Sequence, residues 1–228
     1  MLNIRQYLNR RLTGRQTTVA VLIVVVLAGL GFLAYDSIIA AILDLRVQAA
    51  MPKVCAAIRE QRHELLSAID AYKALFGVYP PDHVVSRQPI VVDALKNPLL
   101  YELAGIIYNP TNKMFQLGSL KAVEADYVKE FFQCDGFKNC GEKPEQIKRF
   151  LTAVDLPARQ LHHDPDVFAV GFFIRDERIP PEVEWEFDVG SWRYVSSSPT
   201  NNPGKFDLWI EVKTKNRTVT IGNWNAVD

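Results

Sequence analysis

The chain has 228 residues, which is enough for an N-terminal segment and one main domain. Its 26 basic residues balance its 26 acidic residues, and 48% of its residues are hydrophobic. The charge balance excludes a strongly basic nucleic-acid-binding protein, and the hydrophobic content excludes a chain that is disordered throughout.

A long apolar run follows a basic N-terminus. Residues 16–35 carry no charge, and the first acidic residue, Asp36, comes directly after them. A helix of about twenty residues spans about 30 Å, the thickness of the hydrocarbon core of a bilayer. Since basic flanks stay on the cytoplasmic side, we expect a cytoplasmic segment 1–16 and a transmembrane helix 17–36, with the rest translocated. The alternative is a cleaved signal peptide, whose apolar region is about 7–15 residues long.

Small side chains within this run predict a surface for helix packing in the bilayer, because they allow two helices to approach closely. A plain lipid anchor is the alternative, since glycine is common in membrane helices. The predicted packing positions are Val19, Ala28, Gly29, Gly31, Ala34 and Tyr35.

The pattern of residues 37–77 predicts that the helix continues beyond the membrane as an amphipathic helix. Apolar residues recur at spacings of three, four and seven, which is typical of one buried stripe. Pro52 removes one hydrogen bond and is expected to kink or split the helix. Gly77 is placed to end it, and Pro80 and Pro81 prevent its continuation.

Residues 78–165 predict a less regular insertion of short helices and loops. We expect a short helix within residues 91–106, interrupted or begun at Asn97 and Pro98. We also expect helices at 123–132 and 144–154 and a short strand at 115–117. Cys134 and Cys140 bracket a turn-prone sequence, which predicts a disulfide; two free thiols are the alternative. Cys55 then has no partner and is expected to be a small buried apolar residue.

Residues 166–228 predict an antiparallel β-sheet. Residues 167–175 form a nearly continuous apolar run, and residues 183–189 alternate between apolar and acidic side chains. Two further alternating segments, 206–213 and 217–224, flank a turn at Lys215 and Asn216. They predict a β-hairpin.

Two blocks of this sequence resemble the type IV pilins and the pseudopilins of type II secretion, in particular the major pseudopilin. Residues 68–82 resemble the end of the long pseudopilin helix, with a helical tyrosine followed by glycine, tyrosine and proline. Residues 190–224 resemble the C-terminal sheet, with Trp-x-Tyr at 192–194, Phe-Asp-Leu at 206–208 and a terminal Asn-Trp at 223–224. The resemblance implies an α+β fold in which a long N-terminal helix packs its outer half on a C-terminal antiparallel sheet. The implied helix–sheet core consists of Ile58, Leu65, Ile69, Tyr72, Trp192, Tyr194, Phe206, Leu208 and Trp224.

The sequence departs from the family pattern at the leader and at the calcium loop. Arg15 follows Gly14, and Val19 stands where the family has the glutamate of the peptidase site. The segment before the terminal Asn-Trp, residues 213–218, carries no carboxylate. Since calcium prefers anionic oxygen ligands, we expect no calcium site there.

Motifs of catalysis and of metal binding are not found. The ligand-dense residues 162–166 predict a solvated turn, because adjacent histidines seldom converge without a third ligand. Glu182, Glu184 and Glu186 predict the solvent face of a strand. No nucleophile lies beside a base in a known motif, so we expect no enzyme, no cofactor, no metal and no small-molecule substrate.

The resemblance implies a structural subunit of a secretion or pilus-type assembly, with no chemical step. Its expected partners are the lipid bilayer and other membrane-anchored subunits, which it would contact through the N-terminal helix; nucleic acid is not expected. The expected location is the bacterial inner membrane, crossed once, with the main domain in the periplasm. The alternatives are a non-polymerising anchored accessory domain and, less favoured, an anchored enzyme.

Overall fold

A computed structural model describes residues 14–118, 122–134, 136–151, 181–184 and 186–224, although a few side chains near the start of the helix and at 181–182 lie outside the description. The chain divides into two compact units, Met1–Ala49 and Ala50–Asp228, and each is described by itself. The fold is α+β, with a long helix and antiparallel sheets, as the sequence predicts.

One helix, α1, runs from Gly14 to Phe76 over 63 residues. Pro52 lies inside it and does not split it. Gly77 ends it with φ +77°, a conformation that glycine adopts without strain, and donates its N–H to the carbonyl of Lys73 at 2.8 Å. The segment 17–36, predicted to cross the membrane, lies in α1. A stretch of helix long and apolar enough to span a bilayer is not found among the described residues.

The middle of the chain contains the strand predicted at 115–117, which is observed at Met114–Gln116, and further strands that the sequence did not predict. Besides the helices α2 (Leu99–Ala104) and α3 (Ala125–Phe132), it holds a hairpin and a four-stranded sheet. The hairpin pairs β1 (Val84–Arg87) with β2 (Ile90–Val92). The sheet has the order β5-β4-β3-β6, from β3 (Ile106–Asn109), β4 (Met114–Gln116), β5 (Val123–Glu124) and β6 (Cys140–Gly141). Only the β3–β6 pair in it is parallel.

The expectation of a helix from residue 144 to 154 was wrong over the part that is described. A single 3-10 turn, Pro144–Gln146, forms there. Residues 147–151 leave helical geometry because their backbone bonds to other elements: Asn139 Oδ1 accepts the N–H of Lys148, and the carbonyl of Leu103 accepts the N–H groups of Phe150 and Leu151.

The C-terminal sheet is built on β9 (Asp207–Lys213). It pairs antiparallel with β10 (Thr218–Gly222) on one side, and on the other with β7 (Asp188–Val189) and β8 (Arg193–Val195). The predicted hairpin is confirmed, with Thr218 opposite Lys213 and Gly222 opposite Trp209. The inward side chains at 206, 208, 210 and 212 are all buried, as their alternation predicts.

The segment 183–189 is not one strand. A short helix, α4 (Pro181–Glu184), precedes β7, and the N–H of Glu186 bonds to the carbonyl of Val183. Proline is tolerated in a first helical turn, which allows this turn to form at the expense of the alternating pattern. The predicted strand over residues 167–175 lies outside the described residues.

The predicted disulfide is absent: no bond joins Cys134 and Cys140. The two residues belong to different elements. The N–H of Cys134 bonds to Lys129 at the end of α3, whereas Cys140 pairs with Ile106 in the sheet. The position of each cysteine is therefore set by its own backbone hydrogen-bond partner, and not by a turn that links the two cysteines. Cys55 is buried, and burial raises the pKa of its thiol.

Candidate assembly surface

Apolar side chains are exposed on every face of the N-terminal part of α1. The seven consecutive residues 21–27, all Val, Leu or Ile, are 52–64% exposed. Seven residues make about two helical turns, so these side chains point in all directions. Water-exposed apolar area costs roughly 25 cal/mol per Å². A helix that is apolar all round requires cover from protein or lipid.

The exposed apolar surface continues towards the middle of the helix. Tyr35, Ile38, Ile39, Ile42 and Leu45 are 43–66% exposed. Contiguous apolar patches of this kind mark interaction sites in soluble proteins. We call the exposed side chains that the structure describes between residues 19 and 45 the assembly surface.

Three of the six predicted helix-packing residues can be described in detail. Val19, Gly29 and Tyr35 are exposed. A Cβ added at Gly29 would meet no atom of the described residues within 4 Å, so none of them makes a close contact there. The side chains of Ala28, Gly31 and Ala34 lie outside the description, although their backbone is helical.

The residues predicted to form the helix–sheet core lie as follows. On α1, Ile58, Leu65, Ile69 and Tyr72 are fully buried. On the sheet side, Trp192, Tyr194 and Leu208 are fully buried and Phe206 is 3% exposed. Trp224 is only partly buried; its ring packs edge-on against Trp209, with centroids 5.7 Å apart.

Two polar contacts fix α1 against the C-terminal sheet. The indole N–H of Trp192 donates to Gln61 Oε1 at 2.7 Å, and Arg62 Nη1 donates to the carbonyl of Gly222 at 2.7 Å. Arg62 is buried, and burial, together with the neighbouring charge of Arg59, lowers the pKa of its guanidinium. These contacts join the helix to two separate parts of the sheet sequence, since Trp192 lies between β7 and β8 and Gly222 ends β10.

A buried carboxylate that the sequence analysis missed ties α1 to the insertion. Glu102, in α2, has no exposed surface. Its carboxylate accepts the hydroxyl of Tyr72 at 2.9 Å and the N–H groups of Lys138 and Asn139 at 3.0 Å each. Asn139 in turn donates its side-chain amide to the carbonyl of Glu102. The sequence contained one indication of this buried carboxylate, a single acidic residue within the apolar run 99–106.

Burial governs the ionisation of this cluster. It raises the pKa of Glu102, and the hydrogen bonds from Asn139, Lys138 and Tyr72 offset only part of that rise. Burial also raises the pKa of Tyr72, and the negative charge of Glu102 raises it further. Burial thus disfavours the charged form of both groups, and Tyr72 keeps the proton that it donates to Glu102.

Two more carboxylates, also missed, organise loops beside the sheet. Asp82 accepts the N–H groups of Ser196 and Ser197 at 2.7 and 2.8 Å. Asp207, at the start of β9, accepts the N–H groups of Thr200, Asn201 and Asn202 at 2.7–2.8 Å. The sequence contained one signal for the role of Asp207, which closely follows a loop dense in Asn and Pro. Backbone N–H groups in such a loop have no hydrogen-bond partners in a sheet and need another acceptor.

Clusters suited to metal binding are not found among the described residues. The histidine-rich stretch 162–166 lies outside them. The predicted acidic strand face does not form, since Glu184 belongs to α4 and Glu186 to the turn after it. Glu211 on β9 instead forms ion pairs with Arg193 at 3.2 Å and with Lys213 at 3.4 Å.

Comparison with protein families, curated proteins and solved structures gives no match to this chain.

Proposed function

We propose that this protein is a pilin-like structural subunit of a secretion or pilus-type assembly, which acts by packing and carries out no chemical step. The observation that carries the proposal is the exposure of apolar side chains around the whole circumference of α1 at residues 21–27. Such a surface is stable only when lipid or other helices cover it.

The second half of α1 supports the same proposal. Residues 50–76 bury one stripe, and hydrogen bonds link this part of the helix to the sheet through Gln61 and Arg62. The N-terminal unit therefore exposes apolar side chains, and the second unit contains the folded domain. That division of roles is suited to a subunit that presents its domain from an assembly.

The bilayer as partner rests on the sequence of residues 16–35, which contains no charge and follows four arginines. We accordingly propose the bacterial inner membrane as the location, with residues 1–16 in the cytoplasm and the folded domain in the periplasm.

Cysteine crosslinking in the membrane tests the proposal. One cysteine at a time is introduced at residues 21–27 of the full chain with Cys134 and Cys140 replaced by serine, while the buried Cys55 is left in place. Membranes are then treated with copper phenanthroline. We expect covalent dimers at some of these positions and none at the matched control Asp70→Cys, which is exposed on the domain end of α1. Monomers at every position would contradict an assembly role.

The second candidate is an anchored accessory domain that never polymerises. Val19 favours it, because a glutamate at this position belongs to the pilin pattern. Membrane-bound protein that gives only monomers in the same crosslinking experiment would support this candidate instead.

A further inference from the structure

A buried guanidinium in the second unit lacks an anionic partner. Arg62 is 3% exposed, and its Nη1 donates to the carbonyl of Gly222 at 2.7 Å. Its Nε is also buried and finds no acceptor among the described residues. Arginine is rarely buried this far without a paired acid, because the desolvation of an unpaired ion is costly. A buried donor in this state indicates a bound group that comes from outside the described chain.

A second arginine lies one helical turn before Arg62. Arg59 and Arg62 are three residues apart on α1, which places their Cβ atoms about 5–6 Å apart on one face of the helix. Arg59 is half-buried and forms no ion pair with the residues that the structure describes. Burial lowers the pKa of Arg62, and the charge of Arg59 lowers it further. The two like charges therefore disfavour each other where they stand.

A third arginine approaches from the start of β10. Burial raises the pKa of the Cys55 thiol, and the charges of Arg59 and Arg217 both oppose that rise, so both arginines lie near Cys55. Cys55 is one helical turn before Arg59. Arg217 is exposed, so this group of charges is open to solvent. We call Arg59, Arg62 and Arg217 the arginine cluster.

Carboxylates are missing from both elements that form the arginine cluster. Residues 213–224, which comprise the turn and β10, contain no Asp or Glu. On α1, the adjacent acid Glu60 lies about 100° from Arg59 around the helix. Glu211, on β9, already forms two ion pairs. The described residues thus bring three cations together without an acid to balance them.

We propose that the arginine cluster binds a phosphate group. The edge of a guanidinium that carries Nε and Nη2 can bind two oxygens of one anion, and the bond from Nη1 of Arg62 to Gly222 does not use this edge. A phosphate group carries about 1.5–2 negative charges at pH 7 and three acceptor oxygens. It can therefore accept from Arg62 and Arg59 together and balance both charges, whereas a carboxylate has one charge to offer. The exposed Arg217 attracts the anion from solvent.

Calorimetric titration of the full chain in uncharged detergent micelles, at constant ionic strength, tests this site. Inorganic phosphate is the soluble probe, and micelles that contain phosphatidic acid present the same group on a lipid. Acetate is the carboxylate probe. We expect saturable binding of inorganic phosphate and about tenfold weaker binding of acetate, because acetate carries the smaller charge. Competition between phosphatidic acid and inorganic phosphate would show that the site also accepts a lipid headgroup, and its absence would restrict the site to soluble phosphate.

Matched arginine substitutions supply the specific readout. Arg59→Gln should weaken phosphate binding about tenfold or more, because it removes a charge-assisted hydrogen bond. Arg193→Gln removes another half-buried arginine of the same unit, the partner of Glu211, and should leave phosphate binding unchanged. In NMR spectra of the arginine side chains, phosphate should shift the Nε–H signal of Arg62. The same phosphate concentration should shift this signal in the Arg193 variant and much less in the Arg59 variant.

Two results would overturn the site. One is a natural chain that shows no saturable binding of phosphate, and the other is equal binding by the Arg59 and Arg193 variants. Acetate that binds as tightly as phosphate would overturn the assignment to a phosphate group. All of these results are independent of the assembly role, because the arginine cluster lies wholly within the unit Ala50–Asp228 and crosslinking at residues 21–27 tests the other unit.

Discussion

The hydroxyl of Tyr72, near the end of α1, donates a hydrogen bond of 2.9 Å to the fully buried carboxylate of Glu102. Thirty residues separate the two positions in the sequence. Through this bond the long helix holds α2, and through α2 it holds the backbone at Lys138 and Asn139. The helix is thus hydrogen-bonded to the C-terminal sheet region through Gln61 and Arg62 and to the insertion through Tyr72.

Removing the Tyr72 hydroxyl should destabilise the domain. We expect Tyr72→Phe to lower the free energy of unfolding by about 1–3 kcal/mol, because it leaves a buried acceptor without its donor. Urea titration of the full chain in detergent micelles, followed by tryptophan fluorescence, measures the change. Tyr108→Phe, at a half-buried ring, is the matched control and should change stability by less than about 0.5 kcal/mol. Equal effects of the two substitutions would contradict the role of the Tyr72–Glu102 bond.

Glu102 should make stability depend on pH. Its pKa is raised in the folded state by burial, so the folded protein holds this proton more tightly than the unfolded chain does. The resulting stabilisation is fully present below about pH 4.3, where free glutamate ionises. It is lost as pH rises through the folded pKa. We expect Glu102→Gln to remove this component of the pH profile of the free energy of unfolding; an unchanged profile would show that Glu102 does not titrate in this way.

Leu65 and Leu75 provide a matched pair on one helix. Leu65 is fully buried, whereas Leu75 is 57% exposed. Leu65→Ala should cost about 2–5 kcal/mol through lost burial and the cavity left behind. Leu75→Ala should cost less than about 0.5 kcal/mol. The same urea titration compares them, and similar losses in both variants would mean that α1 does not bury this stripe.

Asp207 should stabilise the loop before β9. Asp207→Ala leaves the N–H groups of Thr200, Asn201 and Asn202 without their acceptor, and we expect a loss of about 1.5–3 kcal/mol. Limited proteolysis should also cut this loop faster in the variant. Asp188→Ala removes an exposed acid from β7 and serves as the control, with little expected change in either measurement. Protection of the loop that survives Asp207→Ala would show that other contacts hold it.

Much of this fold could be predicted because its signals are long or regular. The apolar stripe of α1 is buried from Val54 to Tyr72, whereas its first members, Ile38, Ile42 and Leu45, are exposed. In the second part of α1 and in the seven residues of β9, period and burial agree. The strands of the insertion are two to four residues long, too short for a period to emerge. Of these, β4 was predicted to within one residue, and the others were missed. Residues 183–189 were mispredicted for the opposite reason. Their alternation was long enough to predict a strand, but a helical turn that begins at Pro181 replaced the first part of that strand.

The polar contacts of the domain could not be predicted for a different reason. Glu102, Asp82 and Asp207 find their partners through backbone N–H groups, and any residue other than proline carries such a group. The side chains alone do not reveal which loop passes each carboxylate. A sequence therefore shows that an acid lies in an apolar run, as Glu102 does, without showing what satisfies it.

The most direct test of the central claim is whether the apolar part of α1 holds the protein in a membrane. Membranes from bacterial cells that express the full chain are washed with alkaline carbonate, and the protein is measured in the pellet and the supernatant. The natural chain should remain in the pellet, and Val24→Arg with Leu27→Arg should move to the supernatant, because each charge at the centre of a span costs about 2.5–3.5 kcal/mol. Val85→Arg with Ile90→Arg, which charges exposed apolar residues of the β1–β2 hairpin, should stay in the pellet. Release of the natural chain by the wash, or retention of the Val24 and Leu27 variant, would contradict the claim.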